Sequence, residues 1–176
     1  MKQSMVCVLS ILAVGCAPSS WRGQVTRQLP LLGHRNWVVI ADSAYPWQTS
    51  PGIETIYTGA DQIEVVASVL DAVRGAPHVR PIIYTDAELE FVPEENAPGI
   101  SIYRDTLREV LGDADVQSLP HEQIIAKLDE AGKTFHVLLL KTDLTLPYTS
   151  VFLQLDCGYW TAQAEQQLRD AIRRGE

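Results

Sequence analysis

Trp37-Val38-Val39-Ile40-Ala41 is the stretch on which the fold turns. It is a continuous apolar, β-branched run without polar alternation, the pattern of a strand covered on both faces. Asp42-Ser43-Ala44-Tyr45-Pro46 breaks it. Working outward, short apolar runs stand at Ile53 to Tyr57, Val79 to Tyr84, Phe135 to Lys141 and Val151 to Leu155. Between them, apolar residues recur at helical spacing over Asp61 to Arg74 (Ile63, Val66, Leu70, Val73), Tyr103 to Leu111 and His121 to Ala131. Gly75, Gly112 and Gly132 follow as expected C-terminal caps. Thr161 to Arg174 predicts an additional C-terminal helix, with arginines in the last turns where the helix dipole favours them. Strands alternating with helices predict a single α/β domain with a largely parallel central sheet flanked by helices. Such sheets bind ligands where strands meet loops.

Composition narrows the functional classes. A chain of 176 residues with 46% hydrophobic and 20% charged residues is ordinary folding material, long enough for one buried core. Its formal charge of -8, with no clustered Lys or Arg, argues against a nucleic-acid partner. No His/Cys/Asp spacing matches a metal site.

The N-terminus has the layout of an export signal. Lys2 precedes the apolar run Met5 to Val14, which ends at Gly15-Cys16 and gives way to Ala17-Pro18-Ser19-Ser20. Residues 1–15 are therefore expected to be a signal peptide. Small residues ahead of a cysteine resemble a lipoprotein box, so Cys16 is expected to carry lipid and hold the protein to a membrane of the cell envelope or periplasm. Removal of 1–15 leaves Cys16 and Cys157, and an acylated Cys16 leaves no intrachain disulfide. Residues 16–28 are expected to be a tether, with a short helical or irregular lead-in within 17–33 and the folded domain spanning 29–176.

Three further segments carry chemistry: Gly33-His34 ahead of the first strand with Asp42 behind it, His121-Glu122-Gln123 at a helix start, and Pro147-Tyr148-Thr149-Ser150 opening the last strand. In this order they resemble the ribose pyranase/fucose mutarotase (RbsD/FucU) family, from about Leu31 to Gly158. The resemblance implies an RbsD-like domain, an isomerase that interconverts ring forms or anomers of a free monosaccharide without a cofactor, and a ring-shaped homo-oligomer with its sites between subunits. It implies His34 as the proton donor, with Asp42, His121, Tyr148, Thr149 and Ser150 as sugar contacts. Ser150 stands where that family usually has asparagine, a shorter hydroxyl for an amide. The four Trp and six Tyr would suit sugar stacking, or serve as core and interface aromatics.

Each residue also has a plainer reading. His34 could cap a turn, Asp42 could form an Asx-turn, His121 could be a solvated first-turn residue, and Tyr148 could simply pack after Pro147. Geometry adds a constraint of its own. If most of the eight-residue step from His34 to Asp42 is extended, the two stand roughly 20–26 Å apart, too far for one monosaccharide. Either the chain folds back near His34, or each pocket borrows a residue from a neighbouring subunit, the reading favoured here. A non-catalytic carbohydrate-binding or scaffold lipoprotein of the same oligomeric fold is the alternative. A serine hydrolase fits less well, since neither Ser43 nor Ser150 has a Gly-x-Ser-x-Gly setting.

Overall fold

The computed structural model of the protein describes residues 20–175; the segment 1–15 expected to be a signal peptide, and Cys16, expected to carry lipid, lie outside the described residues. Strand β1 (Trp37–Ala41) is buried along its whole length, as its unbroken apolar run requires. Its side chains alternate between two cores. Val38 and Ile40 join helices α1 (Trp21–Gln28), α2 (Gln62–Arg74) and α3 (Ile100–Leu111) on one face. Trp37, Val39 and Ala41 join α4 (His121–Ala131) on the other. The period of two along an extended chain thus places one strand between two helical layers.

The other strands are β2 (Ile53–Tyr57), β3 (Val79–Asp86), β4 (Val116–Leu119), β5 (Val137–Lys141) and β6 (Val151–Cys157), in the order β2-β5-β1-β6-β3-β4. Pairs β1–β5, β2–β5 and β3–β4 are parallel, while β6 runs antiparallel to both β1 and β3. The expectation of a largely parallel sheet flanked by helices holds, with β6 reversed. The connection from β5 to β6 explains the reversal. Residues 142–150 contain no helix, and a parallel return needs a crossover of a dozen or more residues. The chain therefore crosses the end of β1, where Ser43 N donates to Leu144 O (2.8 Å), and re-enters the sheet from the edge it has just left.

Several expectations change. The expected tether 16–28 includes α1, where Ser20 caps the helix and Trp21 and Val25 are buried in the core, so folded chain begins ahead of Leu29. The amphipathic pattern here is one turn of helix on each side of Val25, too short to stand out in sequence. Strand β4 was not anticipated; it is a short edge strand with no fully buried residue. Of the three expected glycine caps, only Gly112 has a positive φ, of 60°. Gly132 is right-handed, and a Cβ there would come within 2.9 Å of Ile53 Cγ1. Helix α5 (Ala162–Arg174) forms as expected, capped by Thr161, with no buried residue.

Close approach also dictates Gly52, because a Cβ there would collide with the backbone carbonyl oxygens of both Gly132 and Phe135. Neither acceptor can swing away. Gly52→Ala is expected to destabilise the fold by about 1–3 kcal/mol, measured by urea unfolding; an unchanged midpoint would show that the β2 entry can shift without loss.

Candidate functional site

The parallel strands and the reversed β6 together collect residues at one edge of the sheet. Asp42 follows β1, Asp86 ends β3, His121 follows β4 through Pro120, and Tyr148 precedes β6. The carboxyl ends of parallel strands and the amino end of an antiparallel one lie on the same side, which is where ligands bind in open α/β sheets. A cleft of about 360 Å³ opens there, with Asp42, Tyr45, His121, Glu122, Pro147 and Tyr148 among its walls.

His121 is held from two directions. Its backbone N–H, in the first turn of α4, donates to both oxygens of Glu88 at 3.1 and 3.0 Å. Its ring Nδ1 lies 3.1 Å from Asp86 Oδ1. The Tyr148 ring meets the imidazole edge-on, centroid to centroid at 5.7 Å. Tyr148 has φ of 57°, a left-handed conformation that costs an L-residue roughly 1–2 kcal/mol. That strain places a 40% exposed phenol at the cleft.

A buried network holds the 142–150 loop against the helices behind it. Gln62 Nε2 donates to Thr149 O and to Tyr103 Oη (3.0 Å), Tyr103 Oη donates to Thr149 O (2.6 Å), and Thr142 Oγ1 donates to Gln62 Oε1 (2.8 Å). Thr149 is fully buried and its hydroxyl donates to Leu146 O at 2.9 Å. Ser150 is 2% exposed and reaches Asp42 Oδ2 at 3.4 Å. Neither Thr149 nor Ser150 lines the cleft, so within one subunit both act as struts for Tyr148 and Asp42. Asp42 takes its plainer reading and also stands at the cleft: Oδ1 accepts from Ala44 N (2.8 Å) in an Asx-turn, while the side chain borders the cleft.

Asp86 is the residue that sequence reading missed. It is 1% exposed and its Oδ2 has no hydrogen-bond partner among the described residues. Burial pushes its carboxyl up to about 6; His121 pulls it back down, and Glu88 and Asp42 push it up further. The signal available was the polar ending Thr85-Asp86 of an otherwise apolar strand, equivalent to Asp42 after β1. Burial likewise pushes the Tyr45 phenol far above its ordinary value, reinforced by Asp129, Asp86 and Asp42.

His34 lies at the other edge of the sheet. It occupies a tight turn in which Gly33 N donates to Asn36 Oδ1 (2.7 Å) and Arg35 has φ of 75°. The chain does turn there, yet His34 stays ahead of β1 while Asp42 stands behind it, so the two cannot touch one sugar within a subunit. The His34 side chain is 59% exposed, 3.8 Å from Asp156 Oδ1. It borders a separate groove of about 580 Å³ with Arg80, Asp156, Tyr159 and Trp160. The remaining histidines do structural work: His78 Nε2 lies against the carbonyls of Leu29 and Leu32, and His136 faces Glu54. Among the described residues no group of three His, Cys, Asp or Glu is placed to hold a metal, and no helix is long and apolar enough to cross a membrane.

No protein-family model matches the sequence, and no curated protein does. Solved structures do resemble the fold. Bacillus subtilis RbsD, complexed with D-ribose, superposes with a TM-score of 0.54 at 17% identity, over 86% of this chain and 98% of that one. The fucose mutarotase of Streptococcus pneumoniae, in complex with L-fucose, gives 0.51 at 19% identity over 76% and 91%. FucU from Bifidobacterium longum gives 0.50 at 16% identity over 76% and 93%. The six-stranded sheet with its flanking helices is thus shared with RbsD/FucU-type proteins, and at these identities what is shared is the fold.

Proposed function

We propose that the protein interconverts ring forms or anomers of a free monosaccharide by acid/base catalysis, in a homo-oligomeric ring whose sites lie between subunits. The observation that carries this reading is the convergence of Asp42, His121 and Tyr148, distant in sequence, on one cleft of about 360 Å³. Opening a cyclic hemiacetal moves the anomeric hydroxyl proton to a base as the C1–O5 bond breaks and the C1–O1 bond becomes double; O5 takes a proton from an acid. Reclosure reverses both transfers, so no redox partner is consumed. The bond is labile, and positioned proton donors and acceptors worth roughly 10²–10⁴-fold suffice. Asp42 and Tyr148 hold sugar hydroxyls, and His34 from an adjacent copy supplies the proton. Closed symmetry is the usual form of soluble homo-oligomers. Export through residues 1–15 and lipidation of Cys16 would place this activity at the cell envelope or periplasm.

A second reading is favoured by one observation, the absence of His34 from the cleft within a subunit: a non-catalytic carbohydrate-binding or scaffold lipoprotein would need only the cleft. Exchange NMR on ribose, fucose, galactose and glucose separates the two. Faster interconversion of at least one sugar's ring forms with protein than without is expected; binding with unchanged exchange for every sugar would leave only the second reading.

A further inference from the structure

We infer that Asp86 is a positioning residue that holds the neutral His121 ring with its proton on Nδ1, leaving Nε2 as the base that receives the anomeric hydroxyl proton. This rests on the ring-opening reading above.

With Asp86 ionised, above about pH 6, the geometry allows one assignment of the proton. An ionised carboxylate only accepts hydrogen bonds, so the nitrogen 3.1 Å from Asp86 Oδ1 has to be the donor, and a neutral imidazole carries one N–H. That is Nδ1. The other nitrogen, Nε2, makes no hydrogen bond to the described residues, and the His121 side chain is 31% exposed on the wall of the cleft. The tautomer fixed from behind therefore presents a lone pair to the ligand.

The ring has little freedom to choose otherwise. Glu88 fixes the main chain of His121 and Tyr148 packs against its ring. Rotating the imidazole away would leave a fully buried carboxylate with neither oxygen paired, a costly state. A pair kept only for stability has little reason to stand here, since apolar residues of similar volume usually serve a fold as well or better. Buried charged groups that meet a cleft are where functional sites concentrate. In the forward step the sugar O1 proton passes to His121 Nε2, C1–O5 breaks, and O5 is protonated by His34 of the adjacent copy; recyclisation returns both protons. The imidazolium formed carries N–H on both nitrogens, with Asp86 neutralising the charge behind it.

Two measurements on the full-length chain test the assignment. Two-bond ¹H–¹⁵N correlation spectra of the wild type, above the histidine titration range, should show His121 as the Nδ1–H tautomer. Steady-state exchange kinetics should show Asp86→Asn lowering kcat about 10²-fold with little change in KM. The acid limb of its pH profile should move to lower pH, because a lost carboxylate no longer stabilises the protonated imidazole. Asp42, Tyr45, Glu88, Glu122 and Tyr148, the other titratable groups around the ring, are unchanged in that variant, so the shift isolates Asp86. Asp86→Glu should recover part of kcat. An Nε2–H tautomer in an active wild type, or an Asp86→Asn enzyme with unaltered kcat and pH profile, overturns the inference and leaves the ring-opening reading standing. A wild type that accelerates no sugar's exchange overturns both.

Discussion

His34→Ala is expected to slow catalysed ring exchange roughly 10²–10⁴-fold, the usual value of one positioned acid or base. Stability should change by no more than about 0.5 kcal/mol, since the imidazole is largely exposed and its approach to Asp156 is long. The two readouts together separate loss of chemistry from loss of fold. The more telling form of the experiment mixes subunits. His34→Ala subunits keep an intact cleft, and His121→Gln subunits keep an intact His34. If sites are shared, each variant alone is nearly inactive, while co-refolded assemblies recover up to about a quarter of wild-type activity through junctions that combine the two intact halves. Mixed assemblies verified by native mass spectrometry but still inactive would show that His34 and the cleft never serve the same sugar.

The second large effect is on stability and comes from Asp86. Its carboxyl sits at about 6 in the folded protein against an ordinary value of 3.8, chiefly because burial disfavours the ion. A carboxyl raised by folding keeps its proton more tightly in the native state, so its contribution is greatest below the unfolded value and fades as pH rises through the folded one. At about 1.4 kcal/mol per pH unit, ionised Asp86 costs the fold roughly 3 kcal/mol, of which about 2 should appear between about pH 4 and about pH 7. Asp86→Asn removes this slope. Urea unfolding of both proteins across that range should show the wild type losing about 2 kcal/mol relative to the variant as pH rises. Parallel pH dependences would mean that the carboxyl titrates normally. Together with the kinetic loss expected of the same variant, this is stability given up for a base held in position.

Much of the architecture was readable without coordinates. The run Trp37–Ala41, the alternating helix and strand patterns and the terminal helix all reappear, because hydrophobic periodicity and burial are the same information seen from two sides. Strand β4 escaped because an exposed edge strand needs no apolar run, and α1 was legible only as a short helical or irregular lead-in because a single buried stripe of Trp21 and Val25 is too short to register as a period. At the cleft, Asp42, His121 and Tyr148 were singled out by the family resemblance of short motifs that fall at strand and helix ends. Thr149 and Ser150 were singled out with them and turn out to be buried supports.

The sequence by itself determined the class of fold, the strand ends that bear polar residues, and the constraint that His34 and Asp42 share a small ligand within one subunit only if the chain between them folds back. Only the tertiary structure decided that β6 runs backwards, which carries Tyr148 to His121, and that Asp86 stands buried behind the imidazole. Both depend on which segments become neighbours after folding. Local pattern records whether a residue is covered, and it carries no record of what covers it.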